Sequence, residues 1–275
     1  MDLSPQHAYY CADSTADRIK KSPRWDDEGV AATIGTIMAL LVFLTFMGLF
    51  TNQFVPVWMS DNESTHMSTA IQQFVTLKSQ IDISVSNNPN SKIAPAPVFV
   101  PITLSSPGIP VFAGPTAGVL ALTPEALGIK PTFNVTYTYV SGAGGGATYE
   151  LNSSNDGGSG GDLDLYCPNR YYVEQHLTYE AGAIILNQTE GEYVVAGPQF
   201  LVKNLGTQAA PSRVMLITQV SLLGLNKSVG GVGSKGVEAN LQWADTKTYE
   251  NSDDDANDVV FNIVSKHGIA WENYF

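Results

Sequence analysis

Between Val30 and Ser60 the chain carries no charged side chain. The first part of this run, Val30-Ala-Ala-Thr-Ile-Gly-Thr-Ile-Met-Ala-Leu-Leu-Val-Phe-Leu-Thr-Phe-Met-Gly-Leu-Phe50, is apolar almost throughout. About 21 residues at about 1.5 Å each give about 30 Å of helix, the hydrocarbon thickness of a bilayer. A buried helix of a soluble enzyme is the competing reading, but such helices rarely run so long without polar relief. The segment predicts a membrane-spanning helix over 30–59, with Trp58 where an interfacial aromatic belt belongs. Arg18, Lys20, Lys21 and Arg24 precede the run, whereas the next cation after it is Lys78. That bias predicts a cytoplasmic N-terminus, a cytoplasmic leader over 1–29, and everything beyond Ser60 outside the cell. A cleaved secretory signal would be shorter and would end at a small-residue site, which Asn52-Gln-Phe-Val-Pro-Val-Trp-Met59 does not supply.

Charge narrows the partners. The 275 residues include 26 Asp plus Glu against 14 Lys plus Arg, with a pI near 4.6. Nucleic-acid binding needs a basic stripe to neutralise phosphates, so no nucleic-acid partner is expected. A hydrophobic share of 44% excludes a wholly disordered chain. With this topology Cys11 and Cys167 lie on opposite sides of the membrane and cannot bridge each other within one molecule. Cys167 is then a buried free thiol or, alternatively, a site of intermolecular bridging.

Beyond the span, Met67, Ile71, Phe74, Val75, Lys78 and Ile81 recur at helical spacing. They predict an amphipathic helix over 60–88, with Ser60 or Asp61 as N-cap, while Pro56 should interrupt or kink a continuous rod. A plain stalk or dimerising helix would show the same pattern. Residues 89–275 form the expected head domain. Its stretch 92–131 is rich in Pro and should make extended edge segments and turns. Phe133-Asn-Val-Thr-Tyr-Thr-Tyr-Val140 reads as a strand, Gly142–Ala147 and Asn152–Gly161 as loops, and further strands are expected near 171–179, 182–187, 192–203, 213–223 and 237–243. A short last helix is expected from the acidic 251–258 segment to Lys266. The predicted fold class is α+β: a long N-terminal membrane helix continuing into an amphipathic helix, then an antiparallel β-sandwich-like head.

Chemistry-bearing motifs are sparse. Gly231-Val-Gly233-Ser-Lys-Gly236 matches G-x-G-x-x-G, but the following Val237–Trp243 alternates like a strand, so a hairpin loop is expected rather than a dinucleotide site. Gly142–Ala147 fails for the same reason. Asp253–Asp258 offers alternating oxygen ligands, yet Asp258 and Val264 stand where an EF-hand needs Gly and Glu. An acidic solvated loop and an irregular calcium site both remain open there. His7, His66, His176 and His267 are scattered, and no nucleophile elbow or zinc motif is present. No cofactor, metal or catalytic residue is therefore predicted, and the expectation is a protein that is not an enzyme. Asn62, Asn134, Asn152, Asn187 and Asn226 open glycosylation sequons, all beyond the membrane run.

The start of the run, Gly29-Val30-Ala-Ala-Thr-Ile-Gly-Thr-Ile37, resembles the N-terminus of archaeal type IV pilins and archaellin-like surface proteins, a class III signal peptide. The resemblance covers about 25 residues. It implies a prepilin peptidase cutting after Gly29, so that Val30 becomes the mature N-terminus. The family usually has Lys or Arg before that Gly, where this chain has Asp26-Asp-Glu28. Tyr171-Tyr172, Leu177–Ile185 and Ala270-Trp-Glu-Asn-Tyr-Phe275 look similar to elements of β-rich ectodomains of such proteins. The resemblance implies a structural pilin-like subunit of the cell surface, held in membrane lipid and then self-associating through the apolar helix in a filament core, with an adhesive or coating head. An uncleaved single-pass anchor carrying an extracellular binding module fits the same topology, and an extracellular hydrolase is the third reading.

Overall fold

The computed structural model describes residues 27–89, 95–124, 132–140, 146–151, 160–205, 213–246 and 258–275. The chain divides into two compact units, Met1–Phe50 and Thr51–Phe275. Helix α1, Asp27–Asn87, supplies the described residues of the first and the opening of the second. It passes through Pro56 without interruption, so of the expected break or kink the break does not occur. Proline removes one backbone donor and crowds the carbonyl four residues earlier, a cost of about 3 kcal/mol that a helix 61 residues long absorbs. Ser60 and Asp61 are consequently interior helical residues and not N-caps.

The strands of the second unit are β1 (Val98–Thr103), β2 (Ser105–Ser106), β3 (Thr116–Thr123), β4 (Thr132–Val140), β5 (Gly146–Leu151), β6 (Asp162–Cys167), β7 (Gln175–Glu180), β8 (Ala183–Gln188), β9 (Gly191–Ala196), β10 (Phe200–Asn204), β11 (Arg213–Ile217), β12 (Lys227–Gly231), β13 (Ser234–Ala239) and β14 (Asp258–Val264). A closing helix α2 spans Gly268–Tyr274. Every pairing among the described residues is antiparallel: the large sheet runs β12-β3-β6-β7-β8-β9 with β2 beside β3, and β1-β13, β10-β11 and β14-β4-β5 form smaller sheets. The α+β class and the antiparallel head are as the sequence predicts.

β8 shows how the layers are built. Ile184 and Leu186 belong to the main core with Met67, Ala70, Phe74 and Leu77 of α1, whereas Ala183 and Ile185 pack with Ala270 and Trp271 of α2. Successive side chains alternate faces, so the continuous apolar run Ala-Ile-Ile-Leu is what a strand covered on both sides requires. Val100, Ile102 and Val237 of β1 and β13 join the α1 side of the core. The layer opposite the large sheet thus combines a helix with the β1-β13 pair. β7 and β8 are joined through Ala181 and Gly182, both at positive φ, the two-residue turn whose twist matches antiparallel strands.

Several expectations change. Val75 is exposed, and the buried stripe of α1 is Val55, Met59, Glu63, His66, Met67, Ala70, Phe74, Leu77 and Lys78. Val55 and Met59 lie inside the span predicted over 30–59 yet are buried within the second unit. β3 is an inner strand of the large sheet, so the Pro-rich stretch holds more than edge segments; Pro101 itself keeps to β1, which among the described residues pairs with β13 alone. β12 and β13 flank Val232-Gly233 but pair with β3 and β1 respectively, so the glycine motif is a corner between sheets and not a hairpin. The last segment is strand β14, with the helix only after it, because Val259-Val-Phe261 and Ile263-Val264 suit a sheet better than a helix.

Candidate functional site

The described residues of the first unit form an apolar helical surface. Val30, Met38, Leu40, Val42, Phe43 and Phe46 are all more than half exposed, and at 3.6 residues per turn they point in every direction around α1. This is one helix long and apolar enough to cross a membrane. Its hydroxyls need no outside partner: Thr33 donates to the Val30 carbonyl at 2.9 Å, Thr36 to Thr33 at 2.9 Å and Thr45 to Val42 at 2.8 Å. Back-bonding of this kind lets a polar group enter hydrocarbon without losing a hydrogen bond. A Cβ on Gly35 or Gly48 would meet nothing within 4 Å, so packing within the chain does not require glycine at either position. Gly29 and Val30 sit in the first turn of α1, with Val30 exposed.

In the second unit the same helix is fastened by Glu63, which has no exposed surface. Its carboxylate accepts from Thr116 Oγ1 at 2.8 Å and from the backbone N–H groups of Arg170 at 3.1 Å, Tyr171 at 2.8 Å and Tyr172 at 2.8 Å. Burial alone would push this carboxyl up, but the donors outweigh it and hold Glu63 below the usual carboxylate range. One turn on, His66 Nε2 lies 2.9 Å from the Thr103 carbonyl, and Gln73 both accepts from Thr103 N at 2.8 Å and donates to Thr103 Oγ1 at 3.0 Å. The free backbone edge of β1 is thereby closed by helix side chains. Burial pushes His66 below the ordinary imidazole value, against the Thr103 bond and the nearby Glu63 charge.

A second polar group lies on the large sheet. Asp164 accepts from Thr178 Oγ1 at 2.7 Å and lies 3.3 Å from His176 Nδ1, while His176 stacks on Tyr166 at 4.5 Å between ring centroids. The Asp164 bond raises the His176 pKa. For Asp164, burial works upward, but the bonds from His176 and Thr178 and the Lys266 charge carry it below the carboxylate range. The pair resembles the orienting half of a catalytic triad, but the neighbouring Cys167 is no nucleophile for it. Cys167 belongs to the buried core, and burial pushes its thiol up to about 12, so it stays protonated. The free buried thiol is one of the two sequence readings, and a side chain 2% exposed does not reach another chain's cysteine.

Glu180, also buried, accepts from Ser265 Oγ at 2.5 Å and Trp271 Nε1 at 3.0 Å, tying the C-terminal segment to β7. Neither Glu63 nor Glu180 stands out by motif. The legible signal for Glu63 is its place on the apolar stripe, four residues after Met59 and four before Met67.

The sequons fall in different settings. Asn62 donates to the Pro107 carbonyl at 3.2 Å, and Asn187 lies within β8 and donates to Glu192 at 2.5 Å. Asn134 is in β4, and Asn226 is exposed in the irregular stretch before β12. Asn152, Cys11, most of the leader, Gly142–Gly145 and Asp253–Asn257 lie outside the described residues. Among the described residues no group of three His, Cys, Asp or Glu side chains is arranged to hold a metal ion. No protein-family model, curated protein or solved structure matches the chain.

Proposed function

We propose that the chain is a structural, pilin-like surface subunit, held in the membrane by the N-terminal stretch of α1 and presenting its β domain outside the cell. The observation that carries this reading is the helical surface from Val30 to Phe50, apolar on every side, exposed, and with its threonine hydroxyls bonded inward. In water such a surface is strongly unfavourable, at about 25 cal/mol for each Å² left exposed. Lipid offsets this before assembly, and neighbouring copies of the helix would do so in a filament. Gly35 and Gly48, unneeded by the chain's own packing, leave room for that close approach. The Glu63 clasp supports a role under tension, because it fixes the head to the helix by charge-assisted bonds rather than by a linker.

Cell fractionation tests the reading. The full chain should sediment with membranes or surface filaments and leave the membranes only with detergent; recovery in the detergent-free supernatant overturns it. Mass measurement of the mature N-terminus then separates the two anchored forms. A start at Val30 supports a processed filament subunit. An intact leader on surface-exposed copies supports the single-pass binding module, which Asp26-Asp-Glu28 ahead of Gly29 favours.

A further inference from the structure

We infer that the base of the β domain rests in the lipid headgroup layer and dips the loop between β2 and β3 into it. The inference rests on the membrane-anchor reading and adds a second, peripheral lipid contact to it. The loop, Pro107-Gly-Ile-Pro-Val-Phe-Ala-Gly-Pro115, is uncharged, and no charged residue occurs between Lys92 and Glu125. At its tip Val111 is fully exposed at 101%, held at a φ of 71°, which is a costly conformation for a β-branched residue. Phe112 beside it is 36% exposed, and the hollow of the loop is lined only by residues 108–115. A protein surface facing water gains nothing by holding valine outward in this way.

The position of the loop identifies what covers it. After β1, the chain descends along α1 toward Ser60: Thr103 is held by Gln73 and His66, and Pro107 by Asn62. The other stem of the loop is held at the next helix position, through Thr116 on Glu63. The uncharged run of α1 ends at Ser60, and the β domain already buries Val55 and Met59 of that run. Asn62 and Glu63, which hold the two stems of the loop, follow the last residue of that run by two and three positions, so a span in lipid brings the loop to the headgroup level. The side chains at this level suit that layer: Trp58, Tyr171 and Tyr172 are part-exposed aromatics, and Arg170 is an exposed cation for anionic headgroups.

The test uses the full chain with Cys11→Ser, reconstituted in phosphatidylcholine–phosphatidylglycerol vesicles. Nitroxide labels are placed singly at V111C, L44C and S86C; Cys167 is buried and does not label. Val111 makes a permissive site because its side chain packs on nothing. Collision with oxygen should exceed collision with a water-soluble nickel chelate at positions 111 and 44, with the ratio several-fold above that at exposed position 86. A water-like ratio at 111 with a lipid-like ratio at 44 overturns the inference and leaves the anchor standing. A water-like ratio at 44 overturns both. Spin–spin broadening at 111 that vanishes on dilution with unlabelled chain identifies a second copy as the occupant and also overturns the inference.

Discussion

A carboxylate without water survives at Glu63 because four donors replace its hydration, three of them backbone N–H groups of consecutive residues. Glu63→Gln keeps the shape but turns one acceptor oxygen into a donor facing N–H groups. The expected loss is about 1–3 kcal/mol for each donor left unpaired, read as a lower unfolding midpoint of the detergent-solubilised chain. An unchanged midpoint would mean the clasp contributes nothing. The histidines make a prediction of opposite signs. His66 has its pKa lowered on folding, so its contribution is present above the unfolded value of about 6.5 and is lost as pH falls below it. His176 has its pKa raised, so its contribution is full below about 6.5 and is lost as pH rises through the folded value. His66→Gln should therefore flatten the acid side of the stability–pH curve and His176→Gln the alkaline side. The effect at 176 is the smaller one, because that ring is 42% exposed and screened. Unfolding midpoints of both variants between about pH 5 and pH 9 check the assignment, and parallel curves would refute it.

At the scale of elements, register in the large sheet depends on Gly118. A Cβ there would stand 2.4 Å from the Leu104 carbonyl oxygen and 2.9 Å from that of Tyr166, both backbone atoms that cannot step aside. Gly118→Ala should destabilise the chain by about 1–3 kcal/mol through overpacking, while Gly114→Ala, which meets nothing within 4 Å, should be neutral; thermal unfolding of the pair measures the difference. Nothing in the local sequence marks Gly118 apart from Gly114, because the clash arises from strands distant in the chain. The same division runs through the other elements. α1 is readable because its first half is a long unbroken apolar run and its second half repeats apolar residues at helical spacing, and β4 because aromatic and β-branched residues alternate. β6 begins directly after a Gly/Ser-rich run that reads as loop, although its Asp-Leu-Asp-Leu alternation carries the period of two. β12 hides in Gly230-Gly231, residues of low strand preference that the sheet accepts through pairing with β3. Of the site, the apolar span is visible residue by residue, whereas Glu63 and Glu180 acquire their roles only from donors about 50 to 110 residues away along the chain.

For the molecule as a whole, the decisive property is sidedness, and the amines of the chain report it. Arg18, Lys20, Lys21 and Arg24 precede the uncharged run, and the next cation is Lys78, which is buried and paired with Asp82 at 2.5 Å. In the proposed reading the charge rule retains the leader in the cytoplasm, since moving four cations across hydrocarbon is far costlier than keeping them where they are made. Lys203, Lys227 and Lys235 are exposed on the β domain. A membrane-impermeant amine reagent applied to intact cells should modify those three. Lys20 and Lys21, where the leader is retained, should react only after permeabilisation, as read by peptide mass mapping. Lys78 should react slowly in either case, because its side chain is 10% exposed, which makes it an internal control for the integrity of the folded head. If Lys20 and Lys21 react on intact cells while Lys203, Lys227 and Lys235 do not, the chain is inserted the other way. The Glu63 clasp and the loop at 107–115 would then face the cytoplasm, and a surface role would be lost even though the anchor remained.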